Sequence, residues 1–386
     1  MIKLDEYIAT PGAESLADYG DGGLCPISIH DRFHNGRYEI INKLGKGGYS
    51  TVWAAKDHED VDFVSVKVIK ARYSENNIEL RVLEHLRKNQ VRHPGRQYLP
   101  QLLHHFYVET SGRRNLFLVM ELLGPSIFEM CSELPNHRFG LSPKVPKQLL
   151  LAVDCLHQQG IVHGDIHEGN ILFRIPEGYE RDISYVVEDK VLRKDGRPLE
   201  DGLPTSLVQS HKFDLDLTHD ELECFDHIQL IDFSASFFAS EPPDTTHTTI
   251  RMSPPELIFQ IPLHRSLDIW SLACTIYYLV TGDPLFDGVN DRRVLVPQIH
   301  RVIGASSAGW LLTALIDAVR RGIWDRPPSL HYYTLEEMLQ DDLGITEEKS
   351  SKAIKSFLRQ ALIVDPSTRA TTTDLLEQRW MSERPL

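Results

Sequence analysis

Five chemically loaded positions follow one another in a fixed order along this chain. Gly45-Lys46-Gly47-Gly48 sits between two β-like runs, 38–44 and 51–55. A glycine-bearing turn between strands lets backbone N–H groups approach a phosphate with no Cβ in the way. Lys67 follows Gly47 by 20 residues, inside the β-branched run 63–69. Residues 77–86 carry Ile78, Val82, Leu83 and Leu86 at helical spacing, which predicts a helix bearing Glu79 and Glu84. His163-Gly-Asp165-Ile-His167-Glu-Gly-Asn170 then lies between a helix and a short strand, with Leu230-Ile-Asp232-Phe233 downstream. Turns favour Asp and Asn for backbone reasons alone, so the meaning lies in the set and its order. Asp165 can accept a proton from an attacking hydroxyl. Asn170 and Asp232 offer hard oxygen ligands of the kind Mg²⁺ takes when substrate phosphates complete its shell.

The texture of the chain divides around these positions. Residues 1–36 lack periodicity and read as a mostly irregular arm. Residues 37–121 read as a small β-rich part with one main helix, closed by the apolar strand 115–123. Residues 122–383 are helical in character, with helices expected over 146–159, 268–281, 294–303, 308–320 and 350–362, and short strands near 161–173 and 228–231. The segment 268–281 is apolar nearly all round, which predicts a fully buried helix. Glu256 and Asp268 are carboxylates in apolar surroundings and need partners; Arg369 is a candidate for Glu256. Within this helical part, 174–228 holds 7 Lys/Arg against 14 Asp/Glu and reads as a partly ordered acidic insertion. The fold class is α+β.

The ordered set resembles the signature of the protein kinases, over about 37–383. The resemblance narrows further. Asn35-Gly-Arg-Tyr38, Lys43-Leu-Gly45, Ser50-Thr-Val-Trp53, Asp268-Ile-Trp-Ser-Leu-Ala-Cys274 and Thr281-Gly-Asp-Pro-Leu-Phe286 are similar to SR-protein kinases. The acidic insertion stands where that family keeps its spacer, and it is short, as in fungal SR-kinase-like chains. The resemblance implies a bilobal fold, ATP and Mg²⁺ as cofactors, and phosphoryl transfer to Ser/Thr of basic, Arg/Ser-rich proteins of mRNA processing. It implies that Gly45, Lys46, Gly47 and Gly48 cover the phosphates, with Leu44 and Val52 against the adenine. Lys67 would hold the α- and β-phosphates and pair with Glu79, which fits the motif spacing better than its neighbour Glu84. Met120 would be the gatekeeper, Glu121 and Leu123 would offer backbone groups to the adenine, and Leu172 would floor the pocket. Asp165 would be the catalytic base, and Asn170 and Asp232 the metal ligands.

Four departures stand out. Ser50 replaces a glycine, as in SR-protein kinases, and Ser234 replaces the glycine after Asp232-Phe233. His167 stands where a lysine steadies the γ-phosphate, and an imidazole is the weaker cation at neutral pH. Gly164 stands where an arginine binds a phosphate on the activation segment, so activity is expected without phosphorylation of Thr245, Thr246, Thr248 or Thr249. The alternative is a nucleotide-binding pseudokinase that acts as an interaction module.

The charge of −14 makes general affinity for nucleic acid or anionic membrane improbable and favours a basic protein partner. Glu336, Glu337, Asp341, Asp342, Glu347 and Glu348 form an acidic group suited to docking it, whereas Asp291-Arg292-Arg293 is basic where the family tends to be acidic. The first twelve residues carry charges where a signal peptide has an apolar run, and five scattered cysteines suggest a reducing compartment. A cytoplasmic monomer is expected, with passage into the nucleus left open.

Overall fold

The computed structural model describes residues 4–8, 13–60, 63–134, 137–139, 141–177, 185–210, 224–288, 291–304, 308–322, 335, 338–339 and 348–382. The chain divides into two units. One comprises Met1–Gln90, Pro100–Gly124 and Arg174–Cys224; the other comprises Val91–Leu99, Pro125–Phe173 and Phe225–Leu386.

The first unit is built on an antiparallel sheet of β1 (Arg32–Phe33), β2 (Tyr38–Lys46), β3 (Ser50–Asp57), β4 (Phe63–Ile69), β5 (Leu102–Thr110) and β6 (Arg113–Glu121), in the order β1-β2-β3-β4-β6-β5. Side chains alternate across a strand. Val64, Val66 and Val68 therefore turn to one face, where they close a core with Tyr38, Ile40, Trp53, Phe117 and Val119. Strand β5 (Leu-Leu-His-His-Phe-Tyr-Val-Glu-Thr) lacks an apolar alternation and does not stand out in the sequence. Helix α1 (Ile78–Lys88) starts where the Asn77 side chain accepts the Leu80 N–H, and it buries Val82, Leu83 and Leu86.

The arm is mostly outside regular elements but is firmly anchored. Tyr7–Ile8 pairs antiparallel with Leu192–Arg193. Tyr7, Leu16, Tyr19 and Leu24 form a small core with Val191 and Leu207. Lys43 of β2 is fully buried and is ion-paired to Glu14, which also accepts from the Tyr19 hydroxyl. On sequence the acidic segment 174–228 belongs with the helical part; in the structure Arg174–Cys224 groups with the sheet unit instead. The physical reason is burial: Val191 and Leu207 complete the arm's core, and Val208 completes the sheet's.

The second unit is helical. Helix α2 (Lys144–Gln158) and helix α3 (Ser266–Thr281) carry its core, and α3 is buried along its length from Leu267 to Thr281. Helix α4 (Arg292–Ile303), Ala308–Arg320 and Glu348–Ala361 lie within two residues of the limits expected from apolar spacing. A two-stranded ladder, β7 (Ile171–Phe173) with β8 (Ile228–Leu230), carries the residues of interest at its end. No helix among the described residues is long and apolar enough to cross a membrane.

Candidate active site

In the sheet unit, strand register gathers distant residues on the face opposite the core. The Cα partners Gly45↔Val52, Val52↔Lys67, Lys67↔Leu118 and Ser65↔Met120 put Val52, Lys67, Ser65 and Met120 on that one face. Lys67 is nearly buried there. Its ammonium lies 2.8 Å from both carboxylate oxygens of Glu79 in the first turn of α1. The alternative Glu84 pairs with Lys88 and Arg87 along the helix surface, so the geometry selects Glu79. Leu44, Val52 and Met120 are half-buried, and Leu123 is buried. The backbone carbonyl of Glu121 accepts from the Ser65 hydroxyl at 2.9 Å, and that of Met120 at 3.3 Å. Lys46 donates to the Ala13 carbonyl of the arm at 2.6 Å.

Gly45, Gly47 and Gly48 answer no demand from inside the chain. None has a positive φ. A Cβ on Gly45 or Gly48 would meet nothing within 4 Å, and one on Gly47 would meet only the Ser50 carbonyl, at 3.9 Å. Space is left open beside this turn.

In the helical unit, Asp268 of the buried helix α3 organises the loop that starts at His163. Its carboxylate accepts the N–H of His163 at 2.8 Å and of Gly164 at 2.9 Å, and lies 2.9 Å from His157 Nε2. Burial works against that charge, but these donors outweigh it and hold the Asp268 pKa below the usual carboxylate range. His163 is fully buried, and burial pushes its imidazole below the ordinary histidine range; Asp268 and Asp165 oppose that shift. Its Nδ1 lies 3.3 Å from the Asp165 N–H.

Asp165 is partly open. Its Oδ1 accepts the Thr249 N–H at 2.7 Å, and its Oδ2 lies 3.6 Å from His167 Nε2. Asn170 donates from Nδ2 to the Asp165 carbonyl at 3.0 Å, which leaves the amide oxygen as its other polar atom. The ladder pairs Ile171 with Leu230, and the Ile231 N–H donates to the Asn170 carbonyl at 2.9 Å. Asn170 and Asp232 therefore emerge at the same end of the ladder. Asp232 has φ +69°, and it accepts the Ser234 N–H at 3.1 Å. Leu172, half-buried, sits on β7 of the same ladder.

A protein kinase domain model matches residues 38–183 and 217–381. The chain belongs to the protein kinase family. The gap in the match falls inside the acidic insertion. Among similar proteins, Protein kinase dsk1 of Schizosaccharomyces pombe is 24% identical, covering 96% of this chain and 85% of the relative. A serine/threonine protein kinase of Aspergillus fumigatus is 26% identical, with 98% and 91% covered. SRSF protein kinase 3 of Mus musculus is 32% identical over a shorter match, 44% of this chain and 31% of the relative.

Kinase membership implies ATP and a divalent metal, and the residues present fit both. Glycines with open space beside them suit phosphate, and one carboxylate with one amide oxygen suits a hard cation bound mainly through phosphates. The departures also gain a physical account. Gly164 has φ +85°, and a Cβ there would lie 2.3 Å from the Ala235 carbonyl oxygen, so the arginine of the family pattern has no room. Thr246 and Thr248 are buried, and their hydroxyls donate to the carbonyls of Ala235 and Gly164. Thr245 is exposed. Apolar spacing could not reveal two further contributors, Thr249 and Arg292. Arg292 donates to the carbonyls of Thr246 and Thr248 and to the Ser253 hydroxyl.

Proposed function

We propose that this kinase is an active serine/threonine kinase and that its substrates are basic, Arg/Ser-rich proteins. One observation carries the first half: Lys67 and Glu79, the pair the resemblance implies, form a buried two-pronged ion pair. When bound, ATP with its metal supplies the phosphoryl group and the positive charge that offsets its oxygens. Gly45, Lys46, Gly47 and Gly48 cover the phosphates, with open space where the glycines carry no Cβ, and Lys67, oriented by Glu79, holds the α- and β-phosphates. Leu44, Val52, Met120, Leu123 and Leu172 supply apolar contact for the base, with the backbone of Glu121 and Leu123 reading its edge. Asn170 Oδ1 and the Asp232 carboxylate hold the metal. Asp165 takes the proton of the attacking hydroxyl. Catalysis is then chiefly positioning and charge neutralisation.

Charge supports the substrate half. The chain carries −14, half of it in the 174–228 insertion. Arg292, which counts against an acidic docking face on sequence, spends its guanidinium on Thr246, Thr248 and Ser253. The names of the SRSF protein kinase 3 relatives point the same way. The docking group Glu336, Glu337, Asp341, Asp342 and Glu347 lies outside the described residues, as does the side chain of Glu348. The test compares kcat/KM for an Arg/Ser-repeat peptide with that for the same peptide carrying Gln for Arg. At least about tenfold preference for the first is expected, and neutralising the six carboxylates should raise KM for it. Equal kcat/KM for both peptides contradicts the substrate reading.

One observation favours a catalytically silent module instead. His167 Nδ1 accepts the Gly169 N–H at 3.1 Å while Nε2 turns to Asp165, so both ring nitrogens face groups of its own loop. Transfer that disappears in Asp165→Asn excludes this second reading.

A further inference from the structure

The peptide unit joining Thr248 to Thr249 is gripped at both ends. Its carbonyl accepts from Arg292 Nη2 at 3.1 Å, and its N–H donates to Asp165 Oδ1 at 2.7 Å. Arg292 is half-buried at the first turn of α4 and also donates to the Thr246 carbonyl at 3.2 Å and the Ser253 hydroxyl at 3.0 Å. Thr246 and Thr248 fasten the same stretch from the other side, through Ala235 and Gly164. We infer that Arg292 is a positioning residue, fixing the Asp165 carboxylate through the Thr248–Thr249 peptide and ordering the activation segment with a cation of the chain's own.

The physics is that of a charge-assisted chain. A guanidinium on the carbonyl polarises the peptide, and the polarised N–H makes a stronger bond to the carboxylate. A second trace of proximity agrees: burial lowers the Arg292 pKa, and the Asp165 carboxylate is the group that raises it. The segment is thus tied down at Thr246, Thr248, Thr249 and Ser253 by groups of the chain itself. The inference rests on the reading of Asp165 as the base, and the tests below separate the two.

Arg292→Gln removes the cation, Arg292→Lys restores charge without the fork, and Thr249→Pro removes the N–H. Thr249 has φ −50°, which proline accepts. Arg292→Gln should lower kcat by about ten- to a hundredfold with KM for ATP within about twofold, and Arg292→Lys should lie between it and the parent. Adding Arg292→Gln to Thr249→Pro should cost less than the product of the two single losses, because both cut the link through the Thr248–Thr249 peptide while Arg292 also holds Thr246 and Ser253. Amide exchange at Thr249, which needs no turnover, should quicken at least about tenfold in Arg292→Gln. Unchanged exchange there, or multiplying losses in the double variant, overturns the inference. An Asp165→Asn enzyme that keeps its rate overturns instead the assignment of the base.

Discussion

At the residue scale, buried charges decide most of what can be tested. Glu256 and Arg369 are both fully buried and make two hydrogen bonds, at 2.7 and 2.9 Å. Removing one partner strands the other charge, which costs about 3–5 kcal/mol, whereas replacing both by apolar groups costs far less. Arg369→Met should therefore lower the urea midpoint sharply, and adding Glu256→Met should recover much of the loss. His163 gives a pH signature. Its folded pKa is depressed, so the unfolded chain takes the proton first, and stability is lost as pH falls through about 6.5. His104 and His300 shift in the same direction, also by burial, while the lowered carboxylate of Asp268 holds its contribution to a more acid range. Melting temperature should fall between pH 7.5 and 5.5, with a shallower slope in His163→Gln. Equal slopes contradict the burial account. The Glu256–Arg369 pair was legible because a carboxylate in an apolar run must find a cation. Arg292 was not: Asp-Arg-Arg stands out only as basic where the family tends to be acidic, and only the fold brings the Arg292 guanidinium to Ser253 and the threonine carbonyls.

At the element scale, strand register does what spacing only suggests. Val52↔Lys67 and Ser65↔Met120 put the candidate nucleotide residues on one face because the valines of β4 fill the other. The alternation of β2, the β-like runs of β3 and β4 and the amphipathic pattern of α1 were plain in the sequence. The arm was not, because its contacts are long-range and its backbone irregular. Tyr7, Leu16, Tyr19 and Leu24 have no period, yet they bury beside Val191 and Leu207. The same holds for the insertion, whose acidic composition hides three apolar side chains that complete two cores. Glu14→Ala leaves the fully buried Lys43 ammonium without its carboxylate. A loss on the order of 3 kcal/mol in urea unfolding, with faster proteolysis inside the arm, is expected. A variant as stable and as resistant as the parent would mean that the arm merely rests on the sheet.

At the scale of the whole molecule, the kinase pieces fall to two units: the glycine turn, Lys67 and Glu79 in one, Asp165, Asn170 and Asp232 in the other. Within the first unit Lys67 pairs with Glu79, and within the second Asn170 bonds to the Asp165 backbone while Asp232 emerges at the same end of the ladder as Asn170. Gly164 shows how a departure from the family pattern can be structural, since its left-handed backbone leaves no room for a side chain. The activation segment is instead held by Arg292 and by its own threonines. Phosphoryl transfer should therefore need Asp165 and no phosphate on the segment. The measurement is the initial rate of transfer from ATP with Mg²⁺ to an Arg/Ser peptide, using phosphatase-treated protein whose mass confirms that it is unmodified. The expected result is a full rate in the treated parent and loss of at least about a hundredfold in Asp165→Asn. No transfer from the treated protein, with ATP still raising its melting temperature, would contradict it.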